Sequence, residues 1–156
     1  MTERLDLAQI CMDKQLKAAA LRFWTEALME DPKLGDNRKA QHRYNAACAA
    51  LLVASGQTKD ATPLDDSARA ELRCRALAWL RAEIAAWHSV FETATPADRG
   101  PALSAIRWWT RDVDLVTIRE PDAMAKLPDT DRKDWEAFWK DYDAMMRKGG
   151  ETKPRR

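Results

Sequence analysis

Glycine and proline are scarce, five and seven residues in a chain of 156. So few turn formers exclude a fold of many short strands, and no stretch alternates β-branched and polar residues as a half-buried strand requires. Cysteine is scarcer. Cys11, Cys48 and Cys74 are odd in number, widely spaced and free of any CxxC pair. That argues against a disulfide framework and for reduced thiols in a cytoplasmic chain. His42 and His88 are the only histidines, and without HxxH or HExxH spacing neither a metal site nor a cofactor is expected. An excess of one charge is missing too: 26 basic residues face 25 acidic ones, interspersed along the chain. This argues against a dedicated nucleic-acid or membrane surface. The opening "MTERLDLAQI" lacks the apolar core of a signal peptide, and no run approaches transmembrane length.

What is present favours helix: hydrophobic residues make up 46% of the chain, and the strong helix formers Ala, Leu and Arg are among its commonest residues. Apolar periodicity predicts six helices, at about Glu3–Lys14, Lys17–Glu30, Arg38–Ser55, Ser67–Glu92, from the Thr95 cap to Arg111, and Asp129–Arg147. Pro32 ends the second and Gly56 closes the third. "GQTKDATPLDD" reads as a loop. "DVDLVTIREPDAMAKLPD" reads as a connector with one short helical turn near Asp122–Lys126. The expectation is a single all-α domain over residues 1–147, followed by a disordered basic tail, 148–156.

Three helix starts look alike. "LDDSARAEL" and "LPDTDRKDW" align without a gap, and "TPADRGPA" puts Arg99 at the offset of Arg69 and Arg132. Acids or a cap in each first turn suit the helix dipole, and shared capping explains the likeness more cheaply than a repeat. The pairs Asp65/Asp66 and Asp112/Asp114 fall at helix ends or in loops, where capping explains them better than acid–base chemistry. "KDWEAFWKDYD" reads as a solvated helix face.

"QHRYNAACAALLVASGQ" gathers His42, Tyr44, Asn45 and Cys48 within seven residues. At about 100° per residue, Tyr44, Ala47, Cys48 and Leu51 share one face, while His42 lies about 120° out of phase with Cys48. A thiolate–imidazole pair within this helix is therefore excluded, and Cys48 reads as a small buried hydrophobe. The same face fits a tetratricopeptide template: Tyr44 in the Trp place, Ala47 and Cys48 in the Leu–Gly place, Leu51 in the Tyr place, with Ala76 and Leu80 following in the next helix. Glu83 stands where Ala is usual. In the first hairpin Leu7, Ala8, Ala20, Trp24, Ala27 and Pro32 fit, whereas Arg4 and Cys11 do not.

"HRYNAACAALLVASGQTKDA" with "RCRALAWLRAEIAAW", then "DVDLVTIREPDAMAKLP" and a Trp-bearing last helix, resembles the C-terminal tetratricopeptide-like region of large planctomycete-type bacterial proteins, many of which carry a serine/threonine kinase domain. The resemblance implies a tetratricopeptide-like stack of antiparallel helix hairpins, and no kinase chemistry: a glycine-rich phosphate loop, a VAIK-like lysine, HRD and DFG are all missing from the sequence. The expected function is non-catalytic, a helical-repeat module mediating protein–protein interaction. The alternative is a regulatory or structural C-terminal segment of a multidomain kinase. The partner would be a protein or peptide. On the template, helix-A faces line a groove: Thr2, Leu5, Gln9 and Met12, then His42, Asn45, Ala49 and Leu52, with Gln9, His42 and Asn45 as the polar contacts. Trp108 and Trp109 point about 100° apart, so one of the two is expected to face outward as a partner anchor.

Overall fold

The computed structural model describes residues 2–150. They are all-helical, with no strand among the described residues. The α-helices are α1 (Thr2–Asp13), α2 (Lys17–Glu30), α3 (His42–Ala54), α4 (Asp66–Thr93), α5 (Pro96–Arg107), α6 (Pro121–Met124) and α7 (Asp129–Gly150). Three 3₁₀ segments join them, at Pro32–Asp36, Trp108–Arg111 and Val113–Ile118. No helix of the described residues is long and apolar enough to cross a membrane. The chain divides between Glu83 and Ile84, inside α4, into two compact units.

In the first unit neighbouring helices run antiparallel. Arg4 near the start of α1 pairs with Glu26 and Glu30 toward the end of α2, at 3.6 and 2.5 Å. The α1–α2 turn is closed by two backbone bonds, Leu16 N–H to the Cys11 carbonyl and Gln15 N–H to that of Met12, at 2.8 and 3.1 Å. This is a Schellman closure, with Gln15 in the left-handed region at φ 65° where glycine is usual. The same closure ends α3, there with Gly56 at φ 76°. At the other end of α3, Arg43 reaches Glu83 of α4, while Arg69 near the start of α4 bonds the Ala54 carbonyl, so these two helices are antiparallel as well.

Helix α3 starts at His42, four residues later than the periodicity suggests. Gln41 takes a left-handed φ of 50°, and the Asn37 side chain accepts the Ala40 amide, so residues 37–41 form a turn. Ten of the thirteen α3 residues are buried. Such all-round burial marks a central helix rather than a one-sided one, and its alanines leave room for close neighbours.

The second unit is built on α7. Trp135, Phe138, Tyr142 and Met145 form its buried stripe, and each such side chain contributes about 1.5–3 kcal/mol on leaving water. The α7 helix passes the expected end at Arg147 and includes Gly149, because a Cβ there would stand only 3.0 Å from Leu103 and Phe91. Glycine at this position permits close approach instead of ending the helix. Of the expected tail 148–156, residues 148–150 are thus helical, and residues 151–156 lie outside the described residues. The α-helical part of the fifth helix stops at Arg107 rather than Arg111, and the chain tightens into 3₁₀ geometry at Trp108. In the connector, α6 falls at the short helical turn expected near Asp122–Lys126, and the Val113–Ile118 segment is regular structure beyond that expectation.

Candidate functional site

The first candidate surface is the expected groove. Gln9 is exposed, and its amide donates to Asp13 at 3.0 Å. His42 is half-buried at the first position of α3, and burial lowers its pKa below the ordinary 6.5. Asn45 is half-buried, with its amide donating to the Ala40 carbonyl at 3.2 Å, a tie to the turn before its own helix. Leu5 and Met12 are half-buried, and the Thr2 side chain lies outside the described residues. Ala49 and Leu52 depart from the expectation: at 0% and 6% exposure they are core, so α3 offers no open face beyond its first turn. The template assumes a helix lining a concave surface, whereas α3 is enclosed.

The buried polar centre of this unit is Glu83. Its side chain is fully buried and receives the Arg38 guanidinium at 2.7 Å and the Arg43 Nε at 3.0 Å. Burial pushes the carboxyl above its ordinary range, and the two guanidinium charges oppose that rise. Arg38 and Arg43 also converge on the Gly35 carbonyl, and Arg43 reaches Asp36. Glycine at position 35 leaves room for this arrangement, because a Cβ there would push the Arg43 side chain aside. The Glu83 departure from the repeat template thus marks a structural ion cluster, joining the Pro32–Asp36 segment, α3 and α4.

A second polar device lies in the 56–65 loop. Helix α2 has no cap of its own, since Leu16 precedes it. Instead Thr58 Oγ1 accepts the Lys17 amide at 3.0 Å, and Asp60 accepts those of Ala18 and Ala19 at 3.0 and 2.8 Å. Lys17 Nζ in turn donates to the last turn of α1, at the Met12 carbonyl. The loop also borders a cavity of about 290 Å³ lined by Val53, Thr58, Thr62, Leu64 and Arg69. The Arg69 guanidinium is committed to the Leu64 and Ala54 carbonyls at 3.1 and 3.2 Å. In the sequence this segment reads as a bare loop, and the Thr-x-Asp spacing of Thr58 and Asp60 is its only signal of a cap.

In the second unit the Trp108–Trp109 pair splits as expected into one outward and one inward ring. Trp108 is 44% exposed, whereas Trp109 is fully buried and stacks on Tyr142 at 5.8 Å between ring centroids. Trp109 is therefore core and offers no partner surface. The turn carrying Trp108 is held from below. Arg119 donates to the carbonyls of Trp109 and Asp112 at 3.1 and 2.8 Å, the Tyr142 hydroxyl donates to Ile106 at 3.0 Å, and Trp139 Nε1 donates to Ile118 at 2.6 Å. Arg107, Arg111 and Val113 beside Trp108 are exposed. His88 sits with Glu92 and Lys148 in a surface cluster, at 3.5 and 3.4 Å.

Comparison with protein-family models, with curated proteins and with solved structures gives no match.

Proposed function

We propose that this chain is a non-catalytic, tetratricopeptide-like helical module that binds a protein or peptide partner. The observation that carries the binding role is the mounting of Trp108. A large aromatic side chain is held toward solvent by a 3₁₀ turn whose next residue is locked in the core. Pre-organised aromatic anchors lose little freedom on binding and are frequent hot spots. The repeat character is supported by the template positions. Ala8, Ala20, Ala27, Ala47 and Ala76 are fully buried, as close helix crossings require, and Trp24, Tyr44, Leu51 and Leu80 beside them are buried to 0–1% exposure. Leu7, 40% exposed, is the misfit, in the half-hairpin where Arg4 and Cys11 already depart from the pattern. The polar residues in view perform structural work: Glu83 holds two arginines, Asp60 caps a helix, and Cys48 is core.

The test compares partners retained from the source lysate by wild type, Trp108→Ala and Gln9→Ala/His42→Ala at matched thermal stability. Loss of a specific partner with Trp108→Ala supports the reading. The same partners at the same level with all three proteins would refute it. A loss confined to the Gln9/His42 variant would move the surface to α1 and the start of α3.

A further inference from the structure

Helix α1 buries one side, centred on Ala8, and leaves another in water. On the exposed side Leu7 and Ile10 are 40% and 48% accessible. Glu3 lies one turn before Leu7, and Lys14 one turn after Ile10. Lys14 follows the last helical residue directly, and its amide still bonds the Ile10 carbonyl at 3.1 Å, so it stays in helical register. Spacings of four, three and four residues keep all four side chains within about 60° of arc. Both end residues are exposed, and neither Glu3 nor Lys14 has an ion-pair partner among the described residues. Arg4 and Asp13, by contrast, are engaged with Glu26, Glu30 and Gln9 of the same chain.

The order acid, apolar, apolar, base is complementary to its own reverse. When a second α1 is laid antiparallel, with the two-fold axis passing between Ala8 and Gln9, Leu7 falls opposite Ile10 and Ile10 opposite Leu7. In the same register Glu3 falls opposite Lys14 at both ends. One register thus covers both apolar side chains and pairs both charges, and the two helix dipoles oppose each other. A parallel arrangement in register would set Glu3 against Glu3 and Lys14 against Lys14. Two-fold, self-complementary contacts of this kind are the commonest in homo-oligomers.

We propose that the Glu3–Leu7–Ile10–Lys14 stripe of α1 is a self-association surface, on which a second copy of this chain docks antiparallel across a two-fold axis. The stripe shares no residue with the Trp108 turn and does not rest on the partner-binding reading. One helix against one helix covers less than the roughly 1,600 Å² of a standard stable interface, so the association is weak.

Sedimentation velocity from about 10 μM to about 1 mM spans the range expected for such a contact. The weight-average coefficient of wild type should rise toward that of a dimer. Leu7→Asp/Ile10→Asp should abolish the rise. Glu3→Lys and Lys14→Glu should each weaken association by about tenfold, because symmetry converts two attractive pairs into two repulsive ones. The double variant Glu3→Lys/Lys14→Glu should return to within about twofold of wild type. That rescue isolates the intermolecular pairs. Each reversal opposes the α1 dipole, so the double variant has the least favourable helix and cannot recover through folding. Trp108→Ala should leave self-association unchanged. The proposal is overturned by a chain that stays monomeric throughout, which would leave the stripe to another protein. It is also overturned by single reversals without effect, or by a double variant that does not recover. All the substituted side chains are exposed, and circular dichroism checks that each variant remains helical.

Discussion

Removing the Asp60 carboxylate should destabilise a helix 41 residues away. Asp60 supplies the acceptors for Ala18 and Ala19 at the start of α2, which has no cap of its own. In Asp60→Ala these amides must turn to water, and the negative charge at the positive end of the helix dipole is lost. Loss of such a cap costs about 1–2 kcal/mol. For a chain of this length that lowers the melting temperature by about 2–8 °C, a measurable part of a total stability of order 5–15 kcal/mol. Asp60→Asn keeps one acceptor and should lose about half as much. The effect has a pH signature. Burial by itself raises the Asp60 carboxyl, but hydrogen bonds from Thr58 and from the amides of Ala19 and Ala18 outweigh it and hold the group below its ordinary 3.8. The folded chain then takes up this proton less readily than the unfolded chain. The contribution is therefore fully present above the unfolded value and is lost as pH falls through the lowered folded one. Urea titrations followed by circular dichroism should show wild type and Asp60→Ala well apart at pH 7 and closer together near pH 3. Equal midpoints at pH 7, or a gap of the same size at both pH values, would refute the long-range cap.

Glu83→Ala leaves two guanidinium groups facing a void and should cost about 3–5 kcal/mol by chemical denaturation, with the largest loss of any substitution named here. Gly35→Ala should displace the Arg43 side chain from that cluster, and a double-mutant cycle with Glu83→Gln should show the two changes to be non-additive. Burial raises the Tyr142 hydroxyl to about 12, so wild type should lose stability as pH rises between about 10 and 12. Tyr142→Phe should cost about 1 kcal/mol at pH 7 and show less of that alkaline loss. Gln15→Gly should stabilise the protein by about 0.5–1 kcal/mol, since a left-handed φ of 65° strains an L-residue and not glycine.

The helices were legible because their signals are local. Periodicity and Pro32 place α2 at the observed Lys17–Glu30, and Gly56 does close α3. Boundaries went astray where a contact distant in sequence overrode a local cue. Gly149 looks like a helix breaker until Phe91 and Leu103 are seen against it. Trp108 looks helical until the Trp109 ring is seen stacked on Tyr142. The face of α3 is hidden in the sequence for a related reason. A run of alanines has almost no amphipathic contrast, so its sequence cannot say whether Ala49 lines a groove or lies in the core. The Trp108–Trp109 split was legible, because angular spacing alone requires adjacent residues to diverge. Which of the two would be buried depended on Tyr142, 33 residues further along the chain.

The three arginines at matching helix starts show how far a local pattern can be trusted. Arg69 Nε bonds the carbonyl five residues back, at Leu64, and Arg99 Nε does the same at Ala94. A second nitrogen then reaches the end of the preceding helix, from Arg69 to Ala54 and from Arg99 to Phe91. In both places one guanidinium serves a departing and an arriving helix. Its charge meets the negative end of the first dipole, and its several donors answer carbonyls that the helix itself leaves open. Arg132 shares the sequence pattern but bonds Asp129 in its own first turn, at 2.6 Å. The difference lies in what comes before. Arg69 and Arg99 follow long helices, whereas Arg132 follows the four-residue α6 and its turn. A repeat would require all three to behave alike. Capping requires only that an arginine find unpaired carbonyls within reach, so the likeness of the three starts follows from capping, and the exception follows from the same rule.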